Sequence, residues 1–385
     1  MKYWRGYLTA AILAAITWLL MAFGQRFTVL VDMVYPYVMR TLQNILVEWS
    51  SGVDFNLWQL GLIALGVVGL ASVVLMIVMK WNPVQWLGWA LAVVAGLYMF
   101  HTLLYGLNYY AGPLADDVRL EVVEYNVEEL TEAAEYYRDK ANELALQVGR
   151  EADGSLKFSD FDTLAAQAGD GFRSLTYDRS FSVFAGSTLP VKKLSWANFF
   201  TARGITGVTI GITGEASVNP QIPAVSLPFT ICHEMAHRMC IATERDGNFA
   251  GFLACQANES PEFRYSAYFM AFRYCYNALM NDGSAEASAA AARVGTGMNE
   301  ALYRDLEEYN AFFDAGSTVR VSAVTTDAGE VKSYGAVCDL LVSWHIQEIV
   351  LPSIAVEETP FDPYDETQVD LSGIVNARTE QTEGE

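Results

Sequence analysis

Four histidines serve a chain of 385 residues. Two of them, His233 and His237, flank a glutamate in Thr230-Ile231-Cys232-His233-Glu234-Met235-Ala236-His237. Residues four apart share one face of a helix, so both imidazoles can reach one metal ion. His-Glu-x-x-His on a helix is the spacing of zinc peptidases, with Glu234 placed to hold and deprotonate a water. The expected cofactor is Zn2+, and the expected reaction is peptide-bond hydrolysis with Glu234 as general base. A catalytic zinc keeps three protein ligands and one open position. The extended pattern that ends in a third histidine needs Gly at 240 and His at 243. This chain has Cys240 and Thr243 there. A carboxylate must complete the site, and Glu244, Asp246 and Glu259 are the candidates. Tyr265, Arg264 and His345 are candidates for stabilising an oxyanion. Glu215 and Asn219 are candidates for orienting substrate or supporting the ligands.

The elements that must position these groups follow from pattern. Pro228 and Thr230 suit the start of the motif helix. Thr243-Glu244-Arg245-Asp246 reads as a capping box that opens the next helix. Residues 264–280 and 285–309 read as two more helices, and residues 335–350 as an apolar one. Residues 161–168 form a short helix, and residues 116–147 one long helix leading from the membrane. The β-branched run at 205–213 predicts a strand about twenty residues before the motif, with a second short strand at 319–326. A strand in that position suggests a sheet edge to which a peptide substrate adds as a further strand.

Composition sets the surroundings. The chain is 52% hydrophobic, with a mean hydropathy of +0.19, which points to a membrane component. Residues 7–23, 58–79 and 86–105 are each long and apolar enough to cross a bilayer. Trp58, Trp81, Trp86 and Tyr109 collect near the ends of these spans, as interfacial aromatics do. The first span follows Lys2 and Arg5 and is read as an uncleaved anchor rather than a signal peptide. Lys2, Arg5 and Lys80 put the N-terminus and the second loop in the cytoplasm. Everything beyond residue 110 is then outside it. His101, within the third span, reads as structural. The net charge is −21, and almost all of the acidity lies beyond residue 110. That excludes nucleic acid as a partner. The five cysteines form no Cys-x-x-Cys pair and read as buried thiols.

The stretch from Pro228 to His237, followed by Glu244-Arg245-Asp246-Gly247-Asn248-Phe249, resembles the bacterial membrane family labelled domain of unknown function 3810. Its members pair His-Glu-x-Ala-His with a nearby Glu-x-Glu-Ala-Asn-Phe/Tyr. Further echoes are Thr213-Gly214-Glu215-Ala216-Ser217-Val218-Asn219, Arg264-Tyr265-Ser266, and Ser333-Tyr334-Gly335 leading to Cys338-Asp339-Leu340-Leu341. Aligning Asn248 with the family's asparagine implies Asp246 as the third metal ligand, with Glu244 as the alternative. The chain departs from the family pattern with Asp for Glu at 246, Gly for Ala at 247 and Cys for Gly at 240.

The expected architecture is an α-helical membrane anchor of three spans (residues 1–110). A mostly α, α+β zincin-like catalytic domain with a small sheet or edge strand follows (111–352), then an acidic disordered tail (353–385). The expected protein is a multi-pass peptidase of the bacterial cell membrane, with a peptide or protein substrate and the lipid bilayer as partners. The competing class is a membrane scaffold with a structural or degenerate metal site.

Overall fold

The computed structural model describes residues 4–316 and 337–352. The expected strand at 319–326, the Ser333-Tyr334-Gly335 stretch and the acidic tail lie outside the described residues.

Three helices are long and apolar enough to span a membrane: α1 (Arg5–Arg26), α3 (Leu57–Val78) and α4 (Pro83–Leu104). These correspond to the three expected spans. α1 and α4 pack together where glycine meets glycine. A Cβ on Gly6 would lie 2.5 Å from the carbonyl carbon of Gly88, and one on Gly88 would lie 2.8 Å from the Tyr7 ring. Such close backbone approach is how helices associate where no hydrophobic drive exists. Asn82 caps α4, its side chain accepting from Val84 N and Gln85 N ahead of a Pro at the first turn, a strong start signal.

Between α1 and α3 the chain forms a further helix, α2 (Thr28–Ser50), which lies between the expected first and second spans. Its buried face includes Val31, Arg40, Gln43 and Val47, while Met33, Val34, Tyr37, Val38, Ile45 and Trp49 are exposed. The Arg40 side chain donates to Met239 O (3.1 Å) and Ser182 O (3.2 Å). Gln43 Nε2 donates to Gly211 O (2.8 Å). α2 therefore fastens the end of the motif helix and the sheet.

After α4 a 3-10 turn (Gly106–Tyr110) leads into α5 (Leu114–Asp117) and then α6 (Val127–Ala145). The long helix expected at 116–147 is thus broken. The break is set by Asn126, whose side chain accepts from Glu129 N while the Glu129 side chain returns to Asn126 N, a complete capping box that starts a new helix there. α7 (Phe161–Tyr177) begins at Asp160, which caps Asp162 N and Thr163 N.

The sheet has three short strands, β1 (Lys192–Lys193), β2 (Gly207–Ile210) and β3 (Glu215–Val218), in the order β1-β3-β2. A short helix, α8 (Ala197–Thr201), intervenes between β1 and β2. β2 and β3 pair antiparallel with Gly207 opposite Val218 and Ile210 opposite Glu215, and β1 joins β3 in parallel. The β-branched run at 205–213 is therefore not one strand. It turns back after Ile210, helped by Gly214 at φ +68, a backbone state that favours glycine.

Helices α9 (Leu227–Arg238), α10 (Glu244–Gln256) and α11 (Pro261–Asp282) follow. The helix expected at 285–309 is two, α12 (Ala285–Thr296) and α13 (Glu300–Gly316). Asn299 opens the second, its Oδ1 accepting from Leu302 N. α14 (Cys338–His345) closes the first compact unit, Met1–His345. The second unit begins at Ile346, and a short wide turn, Ile346–Val350, is described there. Every residue of α9 is buried, and so are all five cysteines, each as a free thiol.

Candidate metal centre

The motif residues sit on the last two turns of α9. The helix stops just after them. Cys240 N donates to His237 O (3.0 Å) and Ile241 N to Ala236 O (3.2 Å), and Cys240 takes φ +72. This double bond with a left-handed residue is the Schellman ending, which usually carries glycine. Here cysteine occupies the position despite the strain. Thr243 then caps α10, its hydroxyl accepting from Asp246 N (3.1 Å). A five-residue turn thus brings the first turn of α10 back onto the imidazoles.

Glu244, the first residue of α10, supplies the carboxylate. Its Oε2 lies 3.3 Å from His233 Nε2 and its Oε1 lies 3.7 Å from His237 Nε2. The two Nε2 atoms are 3.0 Å apart. Among the described residues these three side chains form the one group of His, Cys, Asp or Glu whose donor atoms all lie within 4.8 Å of one another. Gly247 lies on the same face. A Cβ there would stand 2.9 Å from His237 Cε1 and 3.1 Å from His233 Cε1, so the ring pair occupies the space a side chain would need.

Asp246, the ligand implied by the family alignment, is not in the group. Its backbone is tied to the Thr243 cap, and its carboxylate lies 3.5 Å from Arg245 Nη1. The reason is rotational: residues two apart on a helix point roughly 200° apart, so only one of 244 and 246 can face α9. Glu259 is exposed beyond the far end of α10.

The chemistry of this donor set fits a divalent ion such as zinc. His237 Nδ1 is 2.7 Å from Ile241 O. A carbonyl only accepts, so the proton sits on Nδ1 and the Nε2 lone pair is free for a metal, the usual arrangement of a ligating histidine. Two nitrogens on one tetrahedral zinc are separated by roughly 3.3 Å, close to the observed spacing. The pKa values of the two imidazoles shift in opposite directions. Burial, with the His233 charge, pushes the His237 pKa down to about 4, so this ring is neutral. Desolvation opposes the charged form of His233, but the Glu244 carboxylate outweighs it and raises the pKa. Desolvation alone would raise Glu244, yet the two imidazoles bring it down to about 2.

Glu234 stands beside the group, 5% exposed. Thr209 of β2 donates to its Oε2 (2.6 Å). Gly207 of β2 packs on it so closely that a Cβ would come 2.4 Å from Oε1. Burial raises its pKa to about 7, against the pull of His233 and Thr209.

The other expected site residues serve elsewhere. Glu215 accepts from Leu57 N and Trp58 N (both 2.9 Å) and from Lys192 Nζ (2.8 Å), capping α3. Asn219 orders its own loop, its side chain donating to Thr201 Oγ1 (2.8 Å) and accepting from Gln221 N (3.0 Å). Tyr265 donates to Asp305, which pairs with Arg150. Arg264 is exposed. His345 packs on Tyr136 and Tyr137, and burial lowers its pKa to about 4. Sequence reasoning missed Thr209, Gly207, Gly247 and Tyr105, whose hydroxyl donates to His237 O (2.9 Å). Gly247 carried a signal, since it stands three residues after Glu244 and so shares its face. Tyr105, 132 residues from its partner, carried none.

Taken together, this is a mostly helical protein with three apolar helices and a His-His-Glu group, in which the histidines are buried and Glu244 is exposed, backed by a second, buried glutamate. Residues 31–342 match the family described as a protein of unknown function (DUF3810), and the chain belongs to that family. The match begins within α2 and ends within α14. No curated protein and no solved structure matches the chain.

Proposed function

We propose that the protein is a membrane-anchored, zinc-dependent peptidase with a zincin-like site. The observation that carries this reading is the convergence of His233, His237 and Glu244 beside a buried Glu234 whose pKa is raised to about 7. His233 Nε2, His237 Nε2 and the Glu244 carboxylate would hold the ion. Bound there, zinc would supply Lewis acidity and make a water easier to deprotonate. Glu234 accepts the proton of the attacking water and passes it to the leaving amine. A pKa near neutrality suits both steps. Thr209 fixes one oxygen of that carboxylate. β2, at the edge of the sheet and in contact with Glu234, offers the backbone against which an extended peptide aligns.

The test is zinc content and cleavage of casein or a peptide library by the purified full-length protein in detergent. The wild type, Glu234→Gln and Asp246→Asn are expected to hold one zinc per chain, and Glu244→Ala to hold it weakly. Cleavage is expected to fall by roughly a hundredfold or more in Glu234→Gln. Zinc without Glu234-dependent cleavage of any peptide would leave a scaffold with a structural metal. Absence of any metal would end both zinc readings.

A further inference from the structure

For a helix in water, α2 is inside out. Its inner side carries polar groups: Arg40 and Gln43 bond to the carbonyls of Met239, Ser182 and Gly211, and Asn44 Oδ1 accepts from Ser187 N (2.8 Å). Its outer side is apolar. Leu30, Val34, Val38, Ile45 and Trp49 are each at least half exposed, and their spacing of four or seven residues sets them on one face. Thr41 and Glu48 are the polar members of that face. A surface helix in water shows the reverse arrangement, and a long apolar stripe left exposed marks a contact surface.

The two ends of α2 show what covers that stripe. Phe27 alone separates α2 from α1. Two turns in, Tyr35 donates to Leu103 O at the end of α4 (2.9 Å), and Gly112 N, just past α4, donates to Asp32 (2.8 Å). At the other end, Lys192 Nζ donates to Ser50 O, the last residue of α2 (2.8 Å), and to Phe55 O (3.0 Å). It also pairs with Glu215, whose carboxylate holds the Leu57 and Trp58 amides of α3. So α2 is pinned to the close of α1 and α4 and to the opening of α3. In the membrane-anchored reading, on which this rests, α1, α3 and α4 cross the bilayer and α2 does not. Those three helix ends then share one membrane face. A helix of 23 residues, about 34 Å long, held to that face at both ends lies along it. A second apolar surface adjoins the opening of α3. Ser195 N donates to Gln59 Oε1 and Gln59 Nε2 to Ser195 O (both 3.1 Å), and the nearby Trp196 and Phe199 are half exposed. Trp and Phe are favoured on surfaces that enter the headgroup region.

We infer that the outer face of α2 is a lipid-docking surface, seated in the headgroup region of the bilayer. Glu48 is tolerated at that depth, where a charge at the bilayer centre is not. The consequence is positional. A helix is about 10 Å thick, and Arg40 on the inner side of α2 bonds the carbonyl of Met239, two residues past His237. The His-His-Glu group then sits close above the membrane surface.

Single cysteines test the immersion without any turnover, since the native thiols are all buried. Val38→Cys and Ile45→Cys are labelled with the fluorophore NBD in the full-length protein. The protein is held in nanodiscs of phosphatidylcholine and phosphatidylglycerol that carry a nitroxide near either the headgroup or the acyl-chain end. Val67→Cys, exposed at the middle of α3, is the lipid reference, and Leu146→Cys, exposed at the end of α6, is the water reference. Quenching is expected at 38 and 45, stronger by roughly twofold with the headgroup nitroxide. At 67 the order should reverse, and at 146 quenching should be absent. The labels occupy exposed positions, so the melting temperature should stay at the wild-type value. No quenching at 38 and 45 beside a quenched 67 would overturn the inference. A disulfide dimer of Val38→Cys would then give the face to a second copy of the chain. Stronger quenching at 38 and 45 by the chain-end nitroxide would overturn it too, because α2 would then cross the bilayer. No quenching at 67 would overturn the anchor itself.

Discussion

On the first turn of α10, Thr243 uses its hydroxyl on the Asp246 N–H, and that one bond decides which acid meets the imidazoles. Position 244 faces α9 together with Gly247, while position 246 is turned toward a cavity bordered by Asp32 and Asp117. His233, Glu234 and His237 were legible because their spacing alone puts them on one face. The third carboxylate was left between Asp246 and Glu244 because motif alignment points to 246, whereas helix rotation brings 244 to the imidazoles. Glu234 carries a consequence for stability. Its folded pKa is raised from 4.5 to about 7 by burial. A raised carboxyl costs nothing below the unfolded pKa, where both states are protonated. Stability is then lost as pH climbs from about 4.5 to 7, because the unfolded carboxyl ionises in that interval and folding must return a proton to it. Converting that interval gives at most about 3 kcal/mol. Metal-free Glu234→Gln should therefore resist chemical denaturation better than metal-free wild type at pH 8 and equally at pH 4. A wild type as stable as the variant at pH 8 would show that Glu234 is not desolvated as described.

At the scale of elements, the three spans and the motif helix were readable from hydropathy and spacing, whereas α2 was not. Its buried side includes Arg40, Gln43 and Ser50, and much of its exposed side is apolar. Amphipathicity read in the usual sense assigns the wrong face to the interior, and Pro36 lies inside the helix. The strand expected at 205–213 holds β2 and the turn after it, because β-branched residues continue past Gly211, where the turn starts, and β3 at 215–218 carried no such run. Glu215 shows what the sheet does beyond approaching Glu234. Asn56, the residue before α3, makes no side-chain cap. The Glu215 carboxylate takes the first amides of α3 instead, with Lys192 as counter-ion. The carboxylate is fully buried and Lys192 nearly so. Removing one partner of such a pair leaves an unpaired buried charge and typically costs about 3 kcal/mol or more. Glu215→Ala should lower the unfolding free energy by that order. It should also speed hydrogen exchange at the Leu57 and Trp58 amides selectively. Exchange unchanged at those two positions would deny the cap.

At the scale of the whole molecule, charge and hydropathy divide the chain. The apolar helices lie in the first 110 residues, which carry five basic and three acidic side chains, and the acidic remainder holds the His-His-Glu group. We propose that this remainder lies outside the cytoplasm, because Lys2, Arg5 and Lys80 would lie on the opposite side of an odd number of crossings. α2 does not alter the count, since it is not among the helices long and apolar enough to span. All five native cysteines are buried, so a thiol reagent meets little background in the folded protein. Leu146, at the end of α6, is 76% exposed, and Trp81, between α3 and α4, is 48% exposed. In intact cells an impermeant maleimide should label Leu146→Cys at once and Trp81→Cys only after permeabilisation. The reverse pattern would put the metal group in the cytoplasm, where any substrate would be a cytoplasmic peptide. Labelling of both variants in intact cells would mean an even number of crossings between them, and hence that α4 does not span.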